Sequence, residues 1–261
     1  MSHALLLAFA LTVLAGAATA LGGVVAVHRA VRSDAGLAAA LGFAAGAMIL
    51  VSAAEILPKG AAALAPSVGH RGGLVATLGL AAVGAAAAVL LGRLVPGSCA
   101  HDRDPLAVRR QVRRSGVVVA IAVTAHNFPE GLATFVATLD DPSAGAVLAV
   151  AIALHNVPEG VAVAAPVFGA GGSRARAVAV AGLTGLAEPV GAALGYLLLV
   201  ALFPASAFGA VFGLVAGVML CIGLSELLPA ACRLTSLVPA LTTCVAGGAS
   251  MALSLVLLGL A

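Results

Sequence analysis

The sequence predicts an all-α, polytopic membrane bundle of eight transmembrane helices. Inverted repeats relate spans 1–3 to spans 6–8, and span 4 to span 5. Composition is the first reason. Of 261 residues, 62% are apolar and 9% charged, with a mean hydropathy of +1.18. A soluble domain carries about 25% charged residues, so this chain has too little charge to coat a water-facing surface. That excludes a soluble enzyme, a nucleic-acid binder and a disulfide-built secreted scaffold. The second reason is a series of long uncharged runs bounded by charge, each near the ~20 residues that cross a bilayer. The third is that these runs repeat in pairs.

Taken in order, the runs are 5–27, 37–58, 72–95, 116–139, 145–168, 177–203, 206–229 and 237–260. The first resembles a signal peptide ending at Ala18-Thr19-Ala20, but its leading Met1-Ser2-His3 has no Lys or Arg. Arg29 and Arg32 follow it directly, which favours a retained span with its N-terminus outside. That orientation puts every Lys and Arg of the 13 on the inner side except Lys59 and Arg71. The bias of basic residues toward the cytoplasm sets topology, so both termini are expected outside. Residues 96–115 form a Pro/Gly/Arg-rich cytoplasmic loop, and residues 1–261 are read as a single transmembrane domain. Glycine, at 32 residues, supplies the small side chains that let helices pack closely in lipid. Cys99, Cys221, Cys232 and Cys244 form no CxxC and are read as small hydrophobes.

The acidic residues divide by type. Asp34, Asp102, Asp104, Asp140 and Asp141 all fall in loops, whereas Glu55, Glu130, Glu159, Glu188 and Glu226 all fall inside spans. No Lys or Arg lies deep enough to pair with the central Glu130, Glu159 and Glu188. A charge at a helix centre costs roughly 2.5–3.5 kcal/mol on the insertion scale. These acids therefore stay protonated, or they face a wet chamber and meet a cation the sequence does not supply.

Two of them belong to a duplicated motif. His126-Asn127-Phe128-Pro129-Glu130-Gly131 lies in span 4, and His155-Asn156-Val157-Pro158-Glu159-Gly160 in span 5. His at i and Glu at i+4 share a helix face, so imidazole and carboxylate can hold one ion. Asn at i+1 lies three residues before the same Glu, so amide and carboxylate can hold a second ion beside it. Each proline removes one backbone N–H and frees the carbonyl of Ala125 or Leu154. Imidazole with carboxylate suits zinc, iron and other first-row divalent ions, whereas calcium or magnesium favours oxygen alone. Glu188-Pro189 in span 6 offers a third central carboxylate.

Spans 2 and 7 also match. Gly42, Gly46, Met48, Glu55, Leu57 and Pro58 correspond at one constant offset to Gly213, Gly217, Met219, Glu226, Leu228 and Pro229. These spans cross in opposite directions, as do spans 4 and 5, and inverted repeats with proline-broken helices around a midplane site mark transporters. Glu55 then stands near the outer mouth and Glu226 near the inner one, either guiding a cation or anchoring a helix end.

With these motifs the chain resembles the ZIP (Zrt/Irt-like) divalent metal transporters, in their bacterial ZupT-like branch, over its whole length. The resemblance implies a first metal site of His126, Glu130, His155 and Glu159. It implies a second, adjacent site of Asn127, Asn156 and Glu188 with Glu130 and Glu159 shared. It also implies import of zinc, and often of iron, manganese, cobalt or cadmium, by alternating access, with spans 1, 4, 5 and 6 moving against 2, 3, 7 and 8. No prosthetic group, enzymatic activity or nucleic-acid partner is expected; a homodimer in a bacterial inner membrane is. Where many relatives carry a His-rich loop between spans 3 and 4, this chain has only His101 with Cys99, Asp102 and Asp104, which reads as a solvated linker. Two other readings stand beside transport of metal. An intramembrane metal-dependent hydrolase would want an HExxH motif, which is absent. A proton-coupled carrier of another solute would use the acids as relays.

Overall fold

The computed structural model describes residues 3–95, 105–198 and 205–259, and among these every regular element is helical. The α-helices are α1 (His3–Ala26), α2 (Asp34–Val51), α3 (Leu57–Leu94), α4 (Pro105–Asp140), α5 (Pro142–Gly169), α6 (Arg174–Gly185), α7 (Ala187–Leu198), α8 (Ala205–Ile222), α9 (Leu228–Leu234) and α10 (Leu237–Leu257). Among the described residues, seven continuous stretches are long and apolar enough to cross a membrane. One of these, Asp34–Leu94, has 61 residues. As a straight helix it would reach about 90 Å, three times the ~30 Å hydrocarbon core. Gly69 breaks it with φ 75° and ψ 163°, a conformation that favours a residue without a Cβ. The stretch therefore holds spans 2 and 3, which gives the eight crossings expected. Large side chains such as Leu14, Val75, Val245 and Leu257 point outward, as lipid-facing residues do.

Two boundaries differ from the sequence reading. Residues 105–115, read as loop, are the first turns of the 36-residue α4. Pro105 suits a helix start, and Leu106, Ala107, Arg109, Arg110 and Gln111 are strong helix formers. Charge marks where the membrane ends, not where the backbone stops hydrogen bonding. The rest of that loop, 96–104, with Cys99, His101, Asp102 and Asp104, lies outside the described residues. Span 6, read as one run over 177–203, is interrupted at Leu186, between α6 and α7. Pro189 has no N–H for the Gly185 carbonyl, so the helix breaks at Leu186, two residues before Glu188. Residues 199–204 lie outside the described residues.

The repeats appear in the packing. Spans 2 and 7 each contain one π-helical turn, Ser52–Ile56 and Gly223–Leu227, at corresponding positions. In each the wide turn closes through an i→i−5 bond, from Leu57 N–H to the Ser52 carbonyl and from Leu228 N–H to the Gly223 carbonyl. Pro58 and Pro229 follow, and neither can donate to the carbonyl four residues back, so the wider turn takes up the mismatch. Glu55 and Glu226 sit inside these turns.

Glycines set the helix contacts in mirrored pairs. A Cβ on Gly46 of α2 would strike the Cys244 carbonyl of α10, and one on Gly217 of α8 the Ala81 carbonyl of α3. Likewise Gly22 of α1 lies on the Val157 carbonyl of α5, while Gly191 of α7 lies on the Phe128 carbonyl of α4. At the crossing of α1 and α6, Gly16 and Gly185 face each other's carbonyls across the pseudo-twofold axis. Among the described glycines, contacts onto another helix's backbone stay within two groups. One comprises α1, α4, α5, α6 and α7; the other comprises α2, α3, α8 and α10. Gly46→Val is accordingly expected to force α2 from α10 and cost about 1–3 kcal/mol. A lower melting temperature in detergent is the readout; an unchanged one would show that the helices part without loss.

Candidate metal centre

Helices α4 and α5 are joined by Asp141 alone, whose side chain caps α5 by accepting from Ser143 N–H at 2.8 Å and Ala144 N–H at 3.3 Å. This tight link sets the two helices antiparallel and brings their motifs face to face. His126 Nε2 lies 3.2 Å from Glu130 Oε1 on its own helix and 3.2 Å from Glu159 Oε1 on the other. His155 Nε2 and Glu130 Oε1 share a hydrogen bond of 2.9 Å. The two imidazole rings are 6.3 Å apart, centre to centre. One ligating atom each from His126, Glu130 and His155 lies within 4.8 Å of the others, and all three residues are buried.

By spacing alone, each motif has its own His–Glu grip. The geometry of span 4 follows it, but His155 turns to Glu130 across the helix interface rather than to Glu159. Helical periodicity fixes the face on which His155 lies, and packing against α4 chooses its partner.

The asparagines are fixed from behind. Asn127 Nδ2 donates to the Thr184 carbonyl of α6 at 3.2 Å, and Asn156 Nδ2 donates to the Ala15 carbonyl of α1 at 2.8 Å. Asn156 Nδ2 also donates to Glu188 Oε1. With the amide N–H groups so engaged, the Oδ1 atoms of Asn127 and Asn156 are left as buried acceptors without a donor among the described residues. The same holds for the Oε2 atoms of Glu130, Glu159 and Glu188. The Nδ1 atoms of His126 and His155 also lack a partner, so packing and the carboxylates hold the rings. Unpaired buried acceptors are costly in a low-dielectric interior. Gathered in one place, they form a site that a desolvated cation would complete. All seven residues, His126, Asn127, Glu130, His155, Asn156, Glu159 and Glu188, are buried in the core of the bundle.

The two acids of the π-helical turns lie in different settings. A cavity of about 230 Å³ is lined by Glu55, Lys59, His126, Pro129 and Glu130 among others, so Glu55 shares one chamber with the central motif. Lys59 Nζ pairs with Glu55 Oε1 at 2.5 Å one turn along the same helix, and Glu55 Oε2 has no hydrogen-bond partner among the described residues. Glu226 is instead bridged to another helix. Its Oε1 is 3.3 Å from Arg114 Nη1, and its Oε2 accepts from Ser115 Oγ at 2.7 Å. Arg114 also donates to the Val95 carbonyl at 3.2 Å and to the Gly92 carbonyl, which ties the ends of spans 3, 4 and 7 together. Sequence reading missed both partners. The Glu55–Lys59 spacing of i,i+4 was a usable signal; nothing in the sequence pointed from Glu226 to Arg114.

Comparison with known proteins decides the family. Residues 70–255 match the family described as ZIP zinc transporter. The chain belongs to it. ZIP relatives named zinc transporter ZupT include one from Corynebacterium efficiens, 46% identical across 97% of this chain and 97% of its own length. Another, from Xanthomonas axonopodis pv. citri, is 46% identical across 98% and 96%. One from Lysinibacillus sphaericus is 44% identical across 97% and 98%. As a ZIP protein with these helices, the chain is an integral membrane transporter. The resemblance read from the paired HNxPEG motifs was to this family.

Proposed function

We propose that the protein imports divalent transition-metal ions, zinc foremost, into the cytoplasm through the chamber of His126, Asn127, Glu130, His155, Asn156, Glu159 and Glu188. The observation that carries this reading is the cluster of buried acceptors with no Lys or Arg among its described contacts. The two imidazoles with Glu130 and Glu159 would hold one ion and the two amide oxygens with Glu188 its neighbour. Iron, manganese, cobalt and cadmium suit the same mixed nitrogen and oxygen donors.

The path follows from the two acids. The cavity at Glu55 leads to the central motif, while Arg114 and Ser115 cover Glu226 at the opposite end. With both termini outside a bacterial inner membrane, this is an outward-open arrangement. The two glycine-packed groups are the units that would move past one another in alternating access. Glu55 draws the ion into the vestibule, where Lys59 holds one of its oxygens until the ion arrives.

Purified protein in zinc-free vesicles tests the reading. Saturable uptake of radiolabelled zinc, competed by other divalent ions, is expected; vesicles that bind zinc at their surface but never fill would overturn it. Asn127→Asp with Asn156→Asp adds two anionic oxygens to the second position, which favours harder ions. The competition order is expected to shift toward manganese, and an unchanged order would remove the asparagines from the ligand set.

A further inference from the structure

The pseudo-twofold axis relates α1 to α6 and α7, and α4 to α5, down to single atoms. Asn156 of α5 donates to the Ala15 carbonyl, and Asn127 of α4 donates to the Thr184 carbonyl. Gly16 and Gly185 mirror each other at the crossing. Residues 15 and 184, 16 and 185, therefore share one offset, and the same offset carries Glu188 onto Thr19. Contacts confirm the match. A Cβ built on Gly16 would lie 3.4 Å from the Glu188 Cβ, and one built on Gly185 would lie 3.0 Å from the Thr19 Cβ. Thr19 stands where the other half of the molecule places its third carboxylate.

Its hydroxyl is in an unusual state for a helix. A buried threonine satisfies its hydroxyl by donating to a carbonyl about one turn back. Thr12, Thr77, Thr138 and Thr184 all do so. Thr19 does not, although it is fully buried. The carbonyl four residues back is that of Ala15, which already receives Asn156. Thr134 also lacks a partner, but its counterpart in the repeat is the apolar Val163, so the symmetry gives it no matching role. On the mirrored side, Asn156 meets Glu188; here Asn127 Oδ1 and Thr19 Oγ1 are both buried and have no hydrogen-bond partner among the described residues.

We propose that Thr19 is a specificity-determining residue of the transport site, its hydroxyl joining Asn127 as a neutral oxygen donor opposite the anionic Asn156–Glu188 end. This rests on the reading of the chamber as the transport site. The site is then asymmetric by one charge within a symmetric frame. A metal ion or its remaining water meets a carboxylate on one side and a hydroxyl on the other. A short neutral oxygen contributes more to binding a hard ion such as manganese than to zinc, which the imidazoles already hold.

Thr19→Val keeps the shape and removes the oxygen. In vesicles it is expected to raise the KM for manganese about tenfold, as loss of a supporting ligand contact does, and to raise the KM for zinc less. Thr19→Ser, which restores the hydroxyl, should return the manganese-to-zinc ratio most of the way to that of the parent. Because Thr19→Val deletes an unpaired buried oxygen, its melting temperature should match or exceed that of the parent. An unchanged manganese-to-zinc ratio in Thr19→Val overturns the proposal, whatever the melting temperature does. Glu188→Gln run in parallel separates the two readings. Loss of uptake there with no effect at Thr19 refutes this residue alone, whereas full uptake in both refutes the transport site itself.

Discussion

His126→Ala is expected to abolish saturable zinc uptake while the protein still reaches the membrane and keeps its helical content. His126 is the side chain that touches both motif carboxylates, at 3.2 Å each. Its removal leaves Glu130 with one imidazole and Glu159 with none in contact. Loss of a supporting contact at a metal site costs 10- to 100-fold in affinity, so loss of a ligand should cost at least about 100-fold. Folding should suffer little, because alanine is a strong helix former and the change removes two buried nitrogens without a hydrogen-bond partner. Glu159→Ala should behave alike. Radiolabelled zinc uptake in vesicles, normalised to protein inserted, is the measurement. Normal uptake by both variants would dismiss the chamber as the metal path.

Arg114→Gln should open the cytoplasmic end in the absence of metal. The Arg114–Glu226 contact joins α4 to the π-helical turn after α8, and so links the two glycine-packed groups. Both side chains are largely buried, at 7% and 14% exposure. Removing one partner of a buried pair costs about 3–5 kcal/mol where the pair is intact. If the pair exists only in the outward-open state, half that cost shifts the balance between states by about tenfold or more toward inward-open. A cysteine at Ala122, one turn from His126 on the same face, reports the change in a background lacking Cys99, Cys221, Cys232 and Cys244. A membrane-impermeant thiol reagent applied from the cytoplasmic side should label it faster in Arg114→Gln. Equal labelling rates would assign the ion pair to anchoring.

Much of the centre was legible in one dimension because a helix converts spacing into direction. His126 and Glu130 are four residues apart and meet, as periodicity requires. Span 6 was read as one run, and the break at Leu186 was missed although Pro189, which cannot donate to the Gly185 carbonyl, was a usable signal for it. The constant offset between Glu55-Leu57-Pro58 and Glu226-Leu228-Pro229 paired spans 2 and 7, and the structure adds a π-helical turn at the same place in each. The end of the loop after span 3 was not legible. Arginines at 109, 110, 113 and 114 signal water as clearly in a helix as in a loop.

The sequence by itself determined the membrane class, the number of crossings, the inverted pairing of spans and the family. The first three depend on composition and on patterns repeated along the chain, and the family on a resemblance carried by the paired HNxPEG motifs. Tertiary structure alone decided that His155 bonds Glu130 instead of Glu159, that Glu226 is met by Arg114 and Ser115, and that Thr19 takes the place in one half that Glu188 takes in the other. Periodicity says which face of a helix a residue occupies; only the packing of backbone against backbone at Gly16, Gly22, Gly131 and Gly160 sets what that face meets.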